Sequence, residues 1–371
     1  MGEAQGVQLQ IMGQESKEAS QPEHENETNQ PEIARKRSTA KWWLLMAVYS
    51  LLLLAGQSVA VLLGRLYFEK GGSSKWMGAL VQPAGFPILL PFYLSQPRNP
   101  ATRSSSETNF PSNLVLASIY ISCGLFLAMV SLLHSLGLKN LPVSIYSLVC
   151  TSQLGFNALF SFFLNSLKLT PFIINSLLLL TISSTLLVFQ DDAAESKHVY
   201  KRDQYALGFT CTLCASAGYG LLLSLTQFAF QKVLKQETFK VVLDMTVYPS
   251  LAATIAVLAG LFASGEWKGL GTEMEGFKLG EASYCMTLIW TAISWQLFNI
   301  GCVGLIFEVS SVFSNVISAF GLPVVPVLAV FCFGDRMDGV KAIAMVVAMW
   351  GFLSYVYQHY LDDCELKKQN I

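Results

Sequence analysis

Residues 141–190 read LPVSIYSLVCTSQLGFNALFSFFLNSLKLTPFIINSLLLLTISSTLLVFQ, two apolar runs joined by a short polar loop at 165–170, where Lys168 is the only charge in the stretch. Each run approaches the length of about 20 residues that carries a helix through a hydrocarbon core of roughly 30 Å. A backbone without water must satisfy its own N–H and C=O groups, so such a pair reads as a transmembrane helical hairpin. Its first helix carries Tyr146, Cys150, Gln153, Asn157 and Ser161 at spacings that share one face of a 3.6-residue helix. Amides are costly against lipid, so this face is expected to meet protein or a water-filled cavity.

The rest of the chain agrees. With 371 residues, 53% hydrophobic and 13% charged, it is too apolar for a soluble domain of this size. Ten apolar segments follow one another, at 42–68, 76–94, 114–138, 143–164, 171–189, 205–230, 241–263, 282–307, 309–333 and 340–360. Only Glu308 divides the eighth from the ninth, and the total length there, about two spans, requires a division. The expected fold class is therefore an all-α polytopic membrane protein with ten transmembrane helices. Residues 1–40, rich in Glu, Gln, Asn, Ser and Pro, read as a disordered tail, and 362–371 as a short tail at the other end. The loop Lys and Arg count is only slightly biased; weighting Arg35, Lys36, Arg37 and Lys41 ahead of the first helix places both termini in the cytosol.

The hairpin 143–189 has a counterpart at 309–360, with Lys168 opposite Arg336 at an offset of 168 residues. Two halves, 41–190 and 191–361, then hold five helices each. Because five is odd, the second half enters the membrane the other way up, giving two inverted five-helix repeats, a design shared by many secondary transporters.

Polar residues recur on helical faces in four further segments: Ser50 and Gln57 in the first, Thr212, Ser216, Tyr219 and Gln227 in the sixth, Thr291, Trp295 and Asn299 with Gln296 beside them in the eighth, and Ser311, Asn315 and Ser318 in the ninth. Hydrogen bonds between helices, about 0.6 kcal/mol each on average, account for many single Ser, Thr and Asn residues. A cavity at the repeat interface accounts for amides and aromatics together, because a flat heteroaromatic solute offers ring nitrogens to bond and a face to stack. Gln57, Gln153, Asn157, Trp295 and Gln296 are the candidate substrate contacts. Glu308 reads either as a helix-terminal anion or, if partly desolvated, as a proton-coupling carboxylate. His134 reads as a buried hydrogen-bonding residue, and Cys211 and Cys214 as packed thiols.

Several function classes lack their parts. There is no phosphate-binding glycine loop, no H-E-x-x-H and no G-x-S-x-G, so an enzyme, an ATP-driven pump and a metal or cofactor site are not expected. A net charge of −1 without a basic cluster excludes a nucleic-acid partner. The expected partners are the lipid bilayer, a small heterocyclic solute and, with Glu308, protons.

Four stretches carry a resemblance: the hairpin quoted above, GRLYFEKGG at 64–72, LGFTCTLCASAGYGLLLSLTQFAFQKVL at 207–234, and GLIFEVSSVFSNVISAFGLPVVPVLAVFCFGDRMDGVKAIAMVVAMWGFLSYVYQHYLDD at 304–363. From about residue 42 to residue 363 the chain resembles the plant purine permease family of the drug/metabolite transporter superfamily. The resemblance implies ten helices in two inverted repeats and proton-coupled uptake of adenine, cytokinins and, in some members, purine-like alkaloids, at the plasma membrane or another endomembrane. One segment departs from the pattern. Where many members are expected to carry an acidic or amide residue before a Leu-Tyr pair, this chain has Val130-Ser131-Leu132-Leu133-His134. The alternatives carried with this reading are an alkaloid or other metabolite exporter on the same fold and a membrane ligand-binding protein that moves nothing.

Overall fold

The computed structural model describes residues 29–94, 112–141, 143–195, 202–234, 239–321 and 339–369. All the regular structure among them is helical. The elements in chain order are α1 (Asn29–Glu69), α2 (Lys75–Leu80), a 3-10 turn (Phe86–Leu89), α3 (Leu90–Leu94), α4 (Asn113–Asn140), α5 (Val143–Leu164), α6 (Pro171–Glu195) and α7 (Arg202–Phe228). After a π-helical turn at Ala229–Leu234 come α8 (Phe239–Ser264), a 3-10 turn (Glu266–Gly269), α9 (Leu270–Glu275), α10 (Glu281–Glu308), α11 (Ser311–Gly321) and α12 (Gly339–Gln369). Residues up to Leu45 form one compact unit, of which the described part is helical, and Met46–Ile371 form a second, within which the packing and the cavities below lie.

Five of these helices are long and apolar enough to cross a bilayer: Lys41–Glu69, Asn113–Asn140, Asp203–Leu234, Phe239–Ser264 and Glu281–Glu308. Among the described residues, Val149–Leu164, Pro171–Ser183, Ser311–Gly321 and Ala342–Gln358 are shorter apolar helical stretches. The helix expected at 76–94 is not continuous. It breaks after Leu80 into turns, a 3-10 turn and α3, because Pro83, Pro87 and Pro91 each lack an N–H and clash with the preceding turn. The division expected at Glu308 is present, since α10 ends there and α11 starts at Ser311. Arg336, the expected counterpart of Lys168, lies outside the described residues.

Burial runs opposite to that of a soluble protein. Large apolar side chains such as Trp290, Ile289, Leu125, Phe163 and Trp350 face outward, while Asn157, Gln296, Ser216, Ser224 and Ser311 are fully buried. Lipid is as apolar as leucine, so close packing and polar contacts take over the work of holding helices together. Small residues permit that packing. A Cβ at Gly56 of α1 would lie 2.5 Å from the Phe298 nitrogen of α10, one at Gly301 of α10 would lie 2.5 Å from the Tyr49 carbonyl of α1, and one at Gly124 of α4 would lie 2.7 Å from the Pro249 carbonyl of α8.

The contacts come in related pairs. α4 packs on α7 and α8, as α10 packs on α1 and on the broken segment around Gly85. α5 packs on α7, as α11 packs on α1 through Gly321 against Leu54 and through Ser318 against Gln57. α6 packs on α12, and α2 on α8.

Candidate functional site

Helices α1, α4, α5, α7, α10 and α11 enclose a cavity of about 110 Å³. One water occupies about 10 to 15 Å³ on this measure, so the space admits several waters or one small ring system. Among the described residues its lining contains no Asp, Glu, Lys or Arg; the polar groups are amides, hydroxyls, a thiol and the imidazole of His134.

Each polar group arrives by helical spacing. Tyr146, Cys150 and Gln153 stand on one face of α5, Asn315 and Ser318 on one face of α11, and Trp295 and Phe298 on adjacent turns of α10. Hydrogen bonds then set which atom each amide offers. Ser318 Oγ donates to Gln57 Oε1 at 2.7 Å, which turns the Gln57 amide nitrogen toward the role of donor. Gln153 Nε2 donates to Asn315 Oδ1 at 2.9 Å, which leaves Gln153 Oε1 as an acceptor, and Asn315 Nδ2 returns a bond to the Gln153 carbonyl at 3.3 Å. Gln82 Nε2 donates to the Ser131 carbonyl at 3.3 Å. His134 Nδ1 lies 3.0 Å from the Tyr146 hydroxyl, so each fixes the other's orientation. The aromatic wall is continuous: Trp295 meets Phe298 edge-on at 5.3 Å, and Tyr219 lies tilted against Phe298 at 6.4 Å.

Of the five expected substrate contacts, Gln57, Gln153 and Trp295 line this cavity. The other two stand behind it. Gln296 is fully buried, with Nε2 donating to the Pro83 carbonyl at 3.0 Å and the Gln82 carbonyl at 3.4 Å, which fastens α10 to the proline-broken segment where backbone acceptors have lost their helical donors. Asn157 is fully buried below the cavity. Its Nδ2 donates to the Ser311 carbonyl at 3.0 Å, and its Oδ1 accepts from Ser224 Oγ at 2.8 Å and Ser161 Oγ at 3.4 Å. Ser161 also meets Ser311 Oγ at 2.9 Å, and Gln227 Oε1 accepts from both the Ser311 amide at 2.8 Å and its hydroxyl at 2.7 Å. Glu308 is half-buried at the end of α10, three residues before Ser311 and outside the cavity lining. Gln82 and Phe298 were not singled out by the sequence; an amide next to a proline-broken stretch was the available signal for Gln82, and nothing distinguished Phe298 from any other membrane phenylalanine.

A second polar cluster lies at the other end. Along α1 from Gln57 to Tyr67, and back along α10 from Trp295 to Tyr284, the helices rise about 15 Å away from the cavity. There Glu273 of α9 is 9% exposed and accepts four hydrogen bonds: from the Tyr67 hydroxyl at 2.5 Å, the Tyr284 hydroxyl at 3.1 Å, Ser73 Oγ at 2.9 Å and the Ser74 amide at 3.1 Å. Neighbouring bonds fasten the same segments. Lys278 donates its amide to the Lys70 carbonyl at 2.9 Å, Lys139 Nζ donates to the Ser73 carbonyl at 2.5 Å, and Ser74 Oγ donates to Glu266 at 2.7 Å.

Comparison with known proteins agrees with this architecture. A family model for purine nucleobase transmembrane transport matches residues 44–365. The chain is 52% identical over 366 residues to purine permease 21 of Arabidopsis thaliana, covering 98% of this chain and 93% of that one. It is 52% identical over 370 residues to probable purine permease 10 of the same plant, with the same coverage, and 54% identical over 326 residues to probable purine permease 6, covering 87% and 84%. A solved crystal structure 16% identical in sequence superposes with a TM-score of 0.53 over 83% of this chain and 96% of that one, which shows a shared fold. With a family model spanning most of its length and relatives half identical almost end to end, this multi-pass membrane protein belongs to the purine permease family.

Proposed function

We propose that the protein is a secondary active transporter that moves purine nucleobases and purine-like heterocycles, adenine and cytokinins among them, through the cavity on α1, α4, α5, α7, α10 and α11. The observation that carries this reading is the chemistry of the lining. It pairs a donor amide at Gln57 with an acceptor amide at Gln153 between aromatic walls and, among the described residues, holds no full charge. A neutral ring with alternating N–H and ring-nitrogen positions satisfies both amides and stacks on Trp295. A nucleotide or nucleotide sugar would bring phosphate into a site whose described residues include no Lys or Arg to meet it. Gln57, Gln153 and Trp295 are the direct contacts in this reading, and Asn157 and Gln296 hold the helices that present them.

The working cycle is alternating access between two inverted five-helix halves, 41–190 and 191–361. The paired contacts support it: exchanging each helix for its counterpart five spans away turns α4 on α7 into α10 on α1, α5 on α7 into α11 on α1, and returns α6 on α12 and α2 on α8 to themselves. Glu308 is the carboxylate assigned to proton coupling, acting from the end of α10 opposite the Glu273 cluster. Both termini are placed on the cytosolic side of the plasma membrane.

Uptake of labelled adenine into purine-transport-deficient yeast, at pH 5 and pH 7.5 and with and without a protonophore, tests the reading. Acid-stimulated, protonophore-sensitive uptake is expected, and loss of the acid stimulation in Glu308→Gln with pH-independent exchange retained is expected of the coupling residue. No uptake or counterflow of adenine by well-expressed protein overturns the purine assignment.

A further inference from the structure

We propose that Tyr67 is the gate closing one end of the transport path, and that Glu273 is the positioning residue that holds it shut; this rests on the transport reading above. Three cavities stand in series. The central one shares Val61, Gln82, His134, Tyr146 and Trp295 with a smaller space of about 30 Å³ toward the Glu273 end, and shares Leu127 and Tyr219 with one of about 50 Å³ lying between α4, α7, α8 and α10. The smaller space reaches the ring of Tyr67. Beyond that ring is the Glu273 carboxylate, bonded to the Tyr67 hydroxyl, and Tyr67 itself is 2% exposed. A solute leaving the central cavity in this direction therefore meets the Tyr67 ring before it meets the loops.

The clamp is built to release as a unit. Glu273 sits on a six-residue helix between α8 and α10, and its other donors are Ser73 and Ser74 in the turn after α1 and Tyr284 at the start of α10. One carboxylate thus ties together the last turn of α1, the turn that follows it and the first turn of α10, and helix ends and turns are the kind of element that moves when a site opens. Bonds to an ionised acceptor are also about twice as strong as neutral ones, so a single side chain suffices to hold the closed arrangement. At the other end the corresponding seal is spread over five side chains on three helices, Asn157, Ser161, Ser224, Gln227 and Ser311, with no comparable single pivot.

Cys150 lines the central cavity and supplies the readout. In a form that keeps Cys150 and replaces the other seven of the eight cysteines by Ser or Ala, the purified protein in detergent micelles is treated with a small methanethiosulfonate reagent and the rate of Cys150 modification is measured. Glu273→Gln and Tyr67→Phe are each expected to raise that rate about tenfold, as loss of a hydrogen bond to a charged group predicts. Ser224→Ala, which weakens the opposite end, is expected to leave it within about twofold. Unchanged modification in monodisperse Glu273→Gln and Tyr67→Phe proteins overturns the gate. If Glu273→Gln does not fold, Tyr67→Phe decides alone, since it removes one hydroxyl and keeps the ring. Adenine protection of Cys150 in the parent protein separates the two readings: protection without the rate change overturns the gate alone, and the rate change without protection overturns the purine assignment alone.

Discussion

The two polar clusters that bracket the cavity are built from opposite materials. At one end a single carboxylate, Glu273, collects two phenols, a hydroxyl and a backbone amide from the last turn of α1, the turn after it and the start of α10. At the other, three hydroxyls and two amides, all uncharged, stitch α5, α7 and α11 together through bonds among side chains and to the Ser311 backbone. Desolvation explains the division. A charge in the middle of a helix bundle is expensive unless fully bonded, whereas hydroxyls and amides on helices settle for one or two partners at modest cost. The charged cluster accordingly occupies short segments at the end of the bundle, and the neutral one lies along the helix interfaces. Strength is concentrated in one case and distributed in the other.

Asn157→Leu should have the largest effect on stability. It leaves the Ser224 and Ser161 hydroxyls and the Ser311 carbonyl to find other partners in a fully buried site. Stranding buried polar groups costs about 1 to 3 kcal/mol each at most, and we expect about 2 to 3 kcal/mol in total, seen as a clear fall in the melting temperature of the purified protein. A melting temperature within a degree of the parent would mean the neutral cluster carries no concentrated strength anywhere, not even at its hub.

Tyr284→Phe addresses the charged end. It deletes one of four donors to Glu273 and keeps the ring packed between Tyr67 and Phe277. Bonds to charged acceptors contribute about 1.5 to 3 kcal/mol, and the lower figure is expected because three donors remain. A loss as small as that of a neutral hydroxyl would erase the contrast between the ends.

In the cavity between them, truncating an aromatic wall tests function with stability held nearly constant. Trp295→Ala should raise the KM for adenine about tenfold with little change in melting temperature, since stacking contributes roughly 0.5 to 1.5 kcal/mol beyond the area it covers. A fall in maximal rate at unchanged KM would move Trp295 from the binding surface to the machinery of closure.

The same contrast governs what could be read from the chain. The stripe on α5 was visible as Tyr146, Cys150, Gln153, Asn157 and Ser161, and its expected alternatives, cavity or protein, both hold: the first three line the cavity and the last two join the neutral cluster. Periodicity reports which face is polar, and it is silent about where along that face the neighbouring helices separate. The partners that decide it, Ser224 and Ser311, lie 67 residues from Asn157 and 150 from Ser161. Glu273 left no trace of its role because the segment around it, GEWKGLGTEMEGFKLGE, reads as a polar loop between spans, and its partners Tyr67 and Ser73 are 206 and 200 residues away. The break at 76–94 was signalled by three prolines, yet membrane helices tolerate proline often enough that the count alone does not decide between a kink and a stop.

Ser161→Ala should have the smallest effect of the four and is the sharpest measure of how the neutral cluster is built. Ser161 Oγ stands 2.9 Å from both Ser224 and Ser311 hydroxyls and 3.4 Å from Asn157 Oδ1, so four polar side chains share protons in one buried knot. Removing it leaves Asn157 still bonded to Ser224 and Ser311 still bonded to Gln227. The cost should be near the membrane average of about 0.6 kcal/mol. Combined with Ser224→Ala in a double-mutant cycle, the coupling should be of similar size, because each hydroxyl has an alternative partner when the other is gone. A coupling several times larger would mean that the knot is cooperative and fails as a unit, in which case the two ends of the cavity differ in charge but not in the way they let go.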